Sequence, residues 1–180
     1  MAESRYVPAL RFHWLTPACD AVIRSTTRER RFKSALIEQA RFAPGQEVLD
    51  LACGTGTLAL WIKQRHPSAN VRGLDGDSNI LGIAQRKARA ARVDVPFDHG
   101  LSTCLPYPDA NFDRVVSSLF LHHLSWADKQ RTAAELLRVL RPGGELHVAD
   151  WGRATGTVMR TAFFAVQLLD GFANTGQRRG

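Results

Sequence analysis

The sequence predicts an α/β domain on a doubly wound parallel sheet, and two observations carry that prediction. From Glu47 onward, short apolar runs alternate with longer segments of helical periodicity. Strands separated in this way by helices form a parallel sheet with helices on both faces. A glycine-rich turn, Gly54-Thr55-Gly56, also stands where the first apolar strand gives way to a helix. Sheets of this kind meet their ligands beyond the carboxyl ends of the strands.

The elements follow in order. Tyr6 to Phe42 reads as helical: Thr16-Pro17 is a helix start with proline at the first helical position. Phe32, Leu36, Ile37 and Ala40 keep helical spacing, and Pro44-Gly45 punctuates the chain. A strand is expected over Glu47 to Leu51, a helix over Thr57 to Arg65, and a strand over Val71 to Leu74. An alanine- and arginine-rich helix spans Ser78 to Arg92, and a weaker strand Val93 to Phe97. A fourth strand covers Arg114 to Leu119, and a helix Asp128 to Leu140 ends at Arg141-Pro142-Gly143-Gly144. Glu145 to Ala149 is the fifth strand and Thr157 to Leu169 the last helix. Residues 1–45 form an N-terminal helical segment expected to cover a pocket, and 46–180 the α/β core.

The chain has 180 residues, 44% hydrophobic, which suits one domain with one sizeable core. The 23% of charged residues excludes a disordered or fibrous class. No run of ~18 apolar residues is present to span a bilayer. Met1 to Trp14 lacks the apolar block of a signal peptide, so a cytoplasmic location is expected. Cys19, Cys53 and Cys104 form no CxxC pair, so no metal is expected. The net charge of +7 is mostly arginine, with a cluster at Arg28, Arg30, Arg31 and Lys33. A solvated helix face accounts for it better than a nucleic-acid patch, and no nucleic-acid partner is expected.

The strongest local signal is Asp50-Leu51-Ala52-Cys53-Gly54-Thr55-Gly56-Thr57. Gly54 and Gly56 let the backbone turn tightly and approach a ligand, and the following helix offers free N–H groups. Asp75, at the end of the second strand and 19 residues after Gly56, is placed to accept hydrogen bonds from ribose hydroxyls. Asp77 is better placed than Asp75 to cap the next helix, which leaves Asp75 for a ligand. Together they indicate an adenosine-type cofactor without separating NAD from S-adenosylmethionine.

Further motifs carry a resemblance. Asp50 to Gly56, Leu105-Pro106-Tyr107-Pro108-Asp109-Ala110-Asn111-Phe112-Asp113 and Leu137-Arg138-Val139-Leu140-Arg141-Pro142-Gly143-Gly144 stand in sequence at family spacing. Together they resemble class I S-adenosylmethionine-dependent methyltransferases, in particular the ubiquinone and menaquinone biosynthesis group, over roughly Gln46 to Asp150. The resemblance implies a Rossmann-like class I methyltransferase fold, S-adenosyl-L-methionine as cofactor with S-adenosyl-L-homocysteine as product, and a small-molecule methyl acceptor. It implies that Asp50 and the backbone at Ala52, Gly54 and Gly56 hold the amino-acid end of the cofactor. Asp75 and Gly76 meet the ribose, and Ile80 packs on the adenine. Leu101 and Ser102 stand where the family often has an Asp-Ala pair beside the adenine, so Leu101 is a departure. Ser118 lies where members approach the methionine part.

His122 and His123 follow the fourth strand and are the candidates for a general base, His123 slightly ahead of His122, since an imidazole titrates near neutral pH. His13, His66, His99 and His147 are expected to lie away from the site. Cys53 is expected to pack, having no histidine near it in sequence. The family's C-terminal hairpin has no counterpart in Gly171 to Gly180, so either the chain is truncated or the sheet edge is covered in another way, by a partner chain in a homo-oligomer among the alternatives. Two other functions compete with methyl transfer: a non-catalytic binding module on this fold, and an NAD-binding oxidoreductase.

Overall fold

The computed structural model describes residues 29–150. Residues 1–28 of the expected N-terminal segment, with Thr16-Pro17, Cys19 and Arg28, lie outside them, as do the helix at 157–169 and the final ten residues. The elements are α1 (Glu29–Ala40), β1 (Glu47–Leu51), α2 (Thr57–Arg65), β2 (Asn70–Asp75), α3 (Ser78–Ala91), β3 (Phe97–His99) and β4 (Phe112–Ser118). A 3-10 turn (Leu121–His123), α4 (Trp126–Val139) and β5 (Leu140–Ala149) complete them.

The five strands pair in the order β3-β2-β1-β4-β5, every pair parallel. The chain winds outward from β1 through β2 to β3, then returns to β4 beside β1. Strand order therefore reverses between β1 and β4, where a crevice opens at the carboxyl edge. This is the class I methyltransferase arrangement that the sequence predicts.

Period-two alternation in β1 sorts its side chains between two cores. Val48 joins Leu36, Ile37, Leu58, Ile62 and Val71 under α1 and α2. Leu49 and Leu51 join Val115, Leu136 and Val139 under α4. Asp50 shares the Val48 face, so one carboxyl group is buried in an otherwise apolar layer.

The second and third motifs are one structural unit. Arg138 of α4 donates from Nη1 to the Tyr107 carbonyl and from Nη2 to the Leu105 carbonyl, at 2.7 and 3.1 Å. Glu135 holds the Arg138 guanidinium and accepts the Leu105 N–H at 2.6 Å. Asp113 joins strand starts, accepting the Glu47 N–H at 2.8 Å and Arg141 Nη1 at 2.7 Å.

The largest departures from the predicted boundaries are at β3 and β5; the other described elements shift by two residues or fewer. The third strand begins at Phe97, not Val93, because Val95 is buried in the approach to the strand rather than within it. The expected turn at Arg141 to Gly144 is absorbed into β5. Phe112 pairs with Leu140 and Arg114 with Glu145, so those four residues bulge opposite Asp113. Gly143 takes a left-handed φ of 81° within the bulge.

The Phe97 ring fills a notch between the glycine loop and β2. A Cβ on Gly73 would stand 2.6 Å from Phe97 Cδ1 and 2.9 Å from Cys53 Sγ. Gly73→Ala is therefore expected to cost about 1–3 kcal/mol by overpacking. A urea titration would show the lost midpoint, and the loss is expected to shrink when Phe97→Ala is present in the same chain.

Candidate active site

The carboxyl edge is built by residues in unusual backbone conformations. Ala52, just after β1, and Leu119, just after β4, both have φ of 55°. A left-handed non-glycine residue is strained and persists only where its surroundings hold it. Here the Ser117 hydroxyl donates to the Leu51 carbonyl at 2.9 Å, and the Leu119 N–H to the Ala149 carbonyl at 2.8 Å. The strain therefore flanks the β1–β4 crevice.

The two loop glycines have different duties. Gly54 has φ 54° and nothing among the described residues within 4 Å of where a Cβ would stand, so its backbone is open to a ligand on that side. Gly56 has φ 76°, and its Cβ position lies 2.8 Å from Phe97 Cζ and 3.0 Å from the Ala84 methyl. Gly54 leaves room for a ligand, whereas Gly56 lets α2 and α3 close on Phe97.

Asp75 ends β2 beside this loop. Its Oδ2 accepts the Gly54 N–H at 2.8 Å and its Oδ1 the Asp77 N–H at 3.0 Å. Asp77 caps α3 as expected, accepting from the Asn79 and Ile80 N–H groups. Asp75 is not idle, however: it already ties the glycine loop to the start of α3. A carboxylate offers about four lone-pair sites, so each oxygen keeps capacity for a ligand donor. Burial raises the Asp75 carboxyl above its usual range, opposed by the N–H bonds from Gly54 and Asp77.

Asp50 is 1% exposed. Its Oδ2 accepts the Ala59 N–H of α2 at 3.0 Å, while Oδ1 is buried with no hydrogen-bond partner among the described residues. Burial pushes the carboxyl up to about 7, against the pull of the Lys33 ammonium. Lys33 is itself paired with Glu29 at 2.6 Å along α1. An orphaned buried oxygen beside an open loop is a feature that a cationic donor would satisfy.

The remaining predicted residues are placed unevenly. Gly76 follows Asp75, and its carbonyl lies 3.1 Å from His99 Nε2, so His99 is nearer the site than its sequence position suggests. Ile80 is half-buried in the first turn of α3. Leu101 begins a short turn whose carbonyl accepts the Cys104 N–H at 3.1 Å. The Ser102 hydroxyl is turned to Thr132 of α4 at 2.9 Å, both residues buried, which leaves its backbone as the part free to meet a ligand. Ser118 ends β4 opposite Ala149. Cys53 packs as expected: burial, then Asp50 and Asp75, drive its thiol well above the usual range.

His122 and His123 sit in the 3-10 turn after β4, ring centroids 3.9 Å apart. Asp150, just past β5, accepts the His122 N–H at 3.1 Å on Oδ2 and contacts His122 Nδ1 at 2.6 Å through Oδ1. A neutral His122 held this way keeps its proton on Nδ1 and presents Nε2 as a lone pair. Among the described residues His123 has no such carboxylate contact, and burial and then His122 lower its pKa to about 4. Asp150 was missed in the sequence, although it directly follows β5 much as Asp75 ends β2.

These features accompany likeness to known proteins. The family described as a methyltransferase domain matches residues 48–144. The chain is 37% identical over 142 residues to a demethylmenaquinone methyltransferase of Thermus thermophilus, covering 78% of this chain and 64% of that protein. It spans about half to two thirds of the length of the curated relatives it matches. The solved [4+2]-cyclase SpnF is 32% identical with a TM-score of 0.62, over 66% of this chain and 43% of that one. A putative S-adenosylmethionine-dependent methyltransferase of Methanococcus maripaludis has a TM-score of 0.69 at 16% identity, over 93% of this chain and 74% of that one, a likeness of fold alone. With more than half of its length matched, and with the sheet order and glycine loop described above, the chain belongs to the methyltransferase-domain family.

Proposed function

We propose that the chain is an S-adenosylmethionine-dependent methyltransferase acting on a small-molecule acceptor. The observation that carries this is the pairing of an open glycine loop with two buried carboxyl groups, one with an unpartnered oxygen. Asp50 Oδ1 would take the cofactor's ammonium, Gly54 and Ala52 would give it backbone room, and Asp75 would take the ribose hydroxyls. Gly76, Ile80, Leu101 and the Ser102 backbone would border the adenine side, and Ser118 the methionine side. When bound, the cofactor supplies an already activated methyl group, so the chain mainly has to orient the acceptor.

An acceptor that must lose a proton needs a base, and His122 Nε2 fits that task. Asp150 fixes the tautomer and stabilises the imidazolium that forms. His123, held neutral by burial, would shape the pocket wall.

The buried Asp50 makes cofactor binding depend on pH. Only the ionised carboxylate attracts an ammonium, and Asp50 ionises near 7. Affinity for S-adenosylhomocysteine is expected to tighten about tenfold between pH 6 and pH 8, with the profile flattened in Asp50→Asn. A raised folded-state pKa also means that Asp50 favours folding below about pH 4. That contribution, on the order of 4 kcal/mol, is withdrawn as pH rises from about 4 through about 7. Asp50→Asn without ligand is thus expected to melt higher at pH 8 than the parent.

A second reading has one observation in its favour: SpnF, similar over two thirds of this chain, is a [4+2]-cyclase. The same scaffold would then serve a reaction other than methyl transfer. Calorimetric titration of S-adenosylmethionine and of NAD tests the cofactor assignment. Binding of the first justifies an acceptor screen with a labelled methyl group. Binding of neither sinks the proposal, and binding of NAD alone would reassign the chain to the oxidoreductases.

A further inference from the structure

The outer surface of α1 and α2 holds a cleft of about 280 Å³ that the carboxyl-edge site does not use. Arg30 and Ser34 line it from α1, and Trp61, Gln64 and Arg65 from α2. Residues three or four apart share a helix face, so the lining is two facing stripes. Arg65 Nη2 donates to the Ser34 hydroxyl at 2.9 Å, and its guanidinium carbon lies 5.9 Å from the Trp61 ring centroid. The cleft therefore has walls set by defined contacts.

Its chemistry has one sign. Among the described residues no carboxylate lines it, while two guanidinium groups, a hydroxyl and an amide do. Arg72, Arg114, Arg131, Arg138 and Arg141 are each neutralised by an aspartate or glutamate. Neither Arg30 nor Arg65 has such a pair among the described residues. Guanidinium forks match phosphate oxygens in shape and charge, and the net charge of +7 adds a long-range attraction.

We propose that this cleft binds a phosphate group, through Arg30 and Arg65 with help from Ser34 and Gln64. The phosphate belongs either to a small phosphorylated molecule or to a nucleic-acid strand. The site lies along α2 from the glycine loop and is independent of the cofactor assignment.

The test is calorimetric titration of inorganic pyrophosphate and of a single-stranded oligothymidylate into the full chain at low salt. Neither probe carries adenosine, so the carboxyl-edge site is not read. Arg30→Ala/Arg65→Ala is compared with Arg86→Ala/Arg89→Ala, which removes the same charge from the exposed face of α3. The expected result is a loss of at least about tenfold in the first variant and less than about twofold in the second. Arg30→Ala alone, which breaks no ion pair among the described residues, should show a several-fold loss if the double variant folds poorly. Pyrophosphate bound as well as the oligonucleotide identifies a small ligand. Tighter oligonucleotide binding with a steep salt dependence identifies a strand. Equal losses in both double variants, or no binding of either probe by the parent chain, would overturn the proposal.

Discussion

Asp75→Ala is expected to weaken S-adenosylhomocysteine binding by at least about a hundredfold. Two hydrogen bonds from ribose hydroxyls to a carboxylate are worth about 3 kcal/mol together, and each 1.4 kcal/mol is tenfold. The variant also releases the Gly54 and Asp77 N–H groups that Asp75 holds at 2.8 and 3.0 Å. The glycine loop then loses its tie to α3, so the cofactor meets a less organised cradle. Asp75→Asn separates the two effects. Its amide oxygen can still accept one of those N–H groups while its NH2 faces the other, so it is expected to bind more tightly than Asp75→Ala and to melt between that variant and the parent. Calorimetry with a parallel melting curve reads both quantities. A change of less than threefold in Asp75→Ala would place the ribose elsewhere.

His122→Gln is expected to lower kcat by about 10²- to 10⁴-fold for an acceptor that must lose a proton, the range of a positioned general base. KM should change little, because the lost interaction belongs to the transition state. Asp150→Asn is expected to approach the same loss. An asparagine amide can donate to Nδ1, which moves the imidazole proton to Nε2 and removes the lone pair the acceptor needs. His123→Gln is expected to stay within a few-fold, since His123 has no carboxylate contact and is neutral well below physiological pH. A ranking with His123 first would reverse the assignment of the base. An acceptor without an acidic proton should be indifferent to all three changes.

Much of this was legible because local chemistry and tertiary packing agree. β1 and α2 fall where the apolar run and the glycine turn put them, Glu47–Leu51 and Thr57–Arg65. Asp77 was readable as a cap because a short carboxylate before a helical run satisfies exposed N–H groups. β3 was only partly legible, because two of its three residues are polar and its partners distant. Asp98 is held by Arg72 and Tyr107 at 2.7 and 2.9 Å, and no local pattern announces that. The bulge at Arg141 to Gly144 reads as a turn because proline and glycine punctuate it, while the ladder resumes only through β4. Both histidines were visible, but which one matters depends on Asp150, 28 residues later in the chain than His122. The different duties of Gly54 and Gly56 were likewise hidden, since only the Phe97 ring tells them apart.

The unpartnered oxygen of Asp50 has a consequence for the heat of loading the site. Below about pH 7 the free chain carries a proton there, and a bound ammonium expels it into solution. The measured enthalpy should then shift with the ionisation enthalpy of the buffer. The slope should approach one released proton near pH 6 and fall toward zero above pH 8. The chain would thus acidify its surroundings slightly each time it takes up ligand, and acid conditions would favour the empty, more stable form.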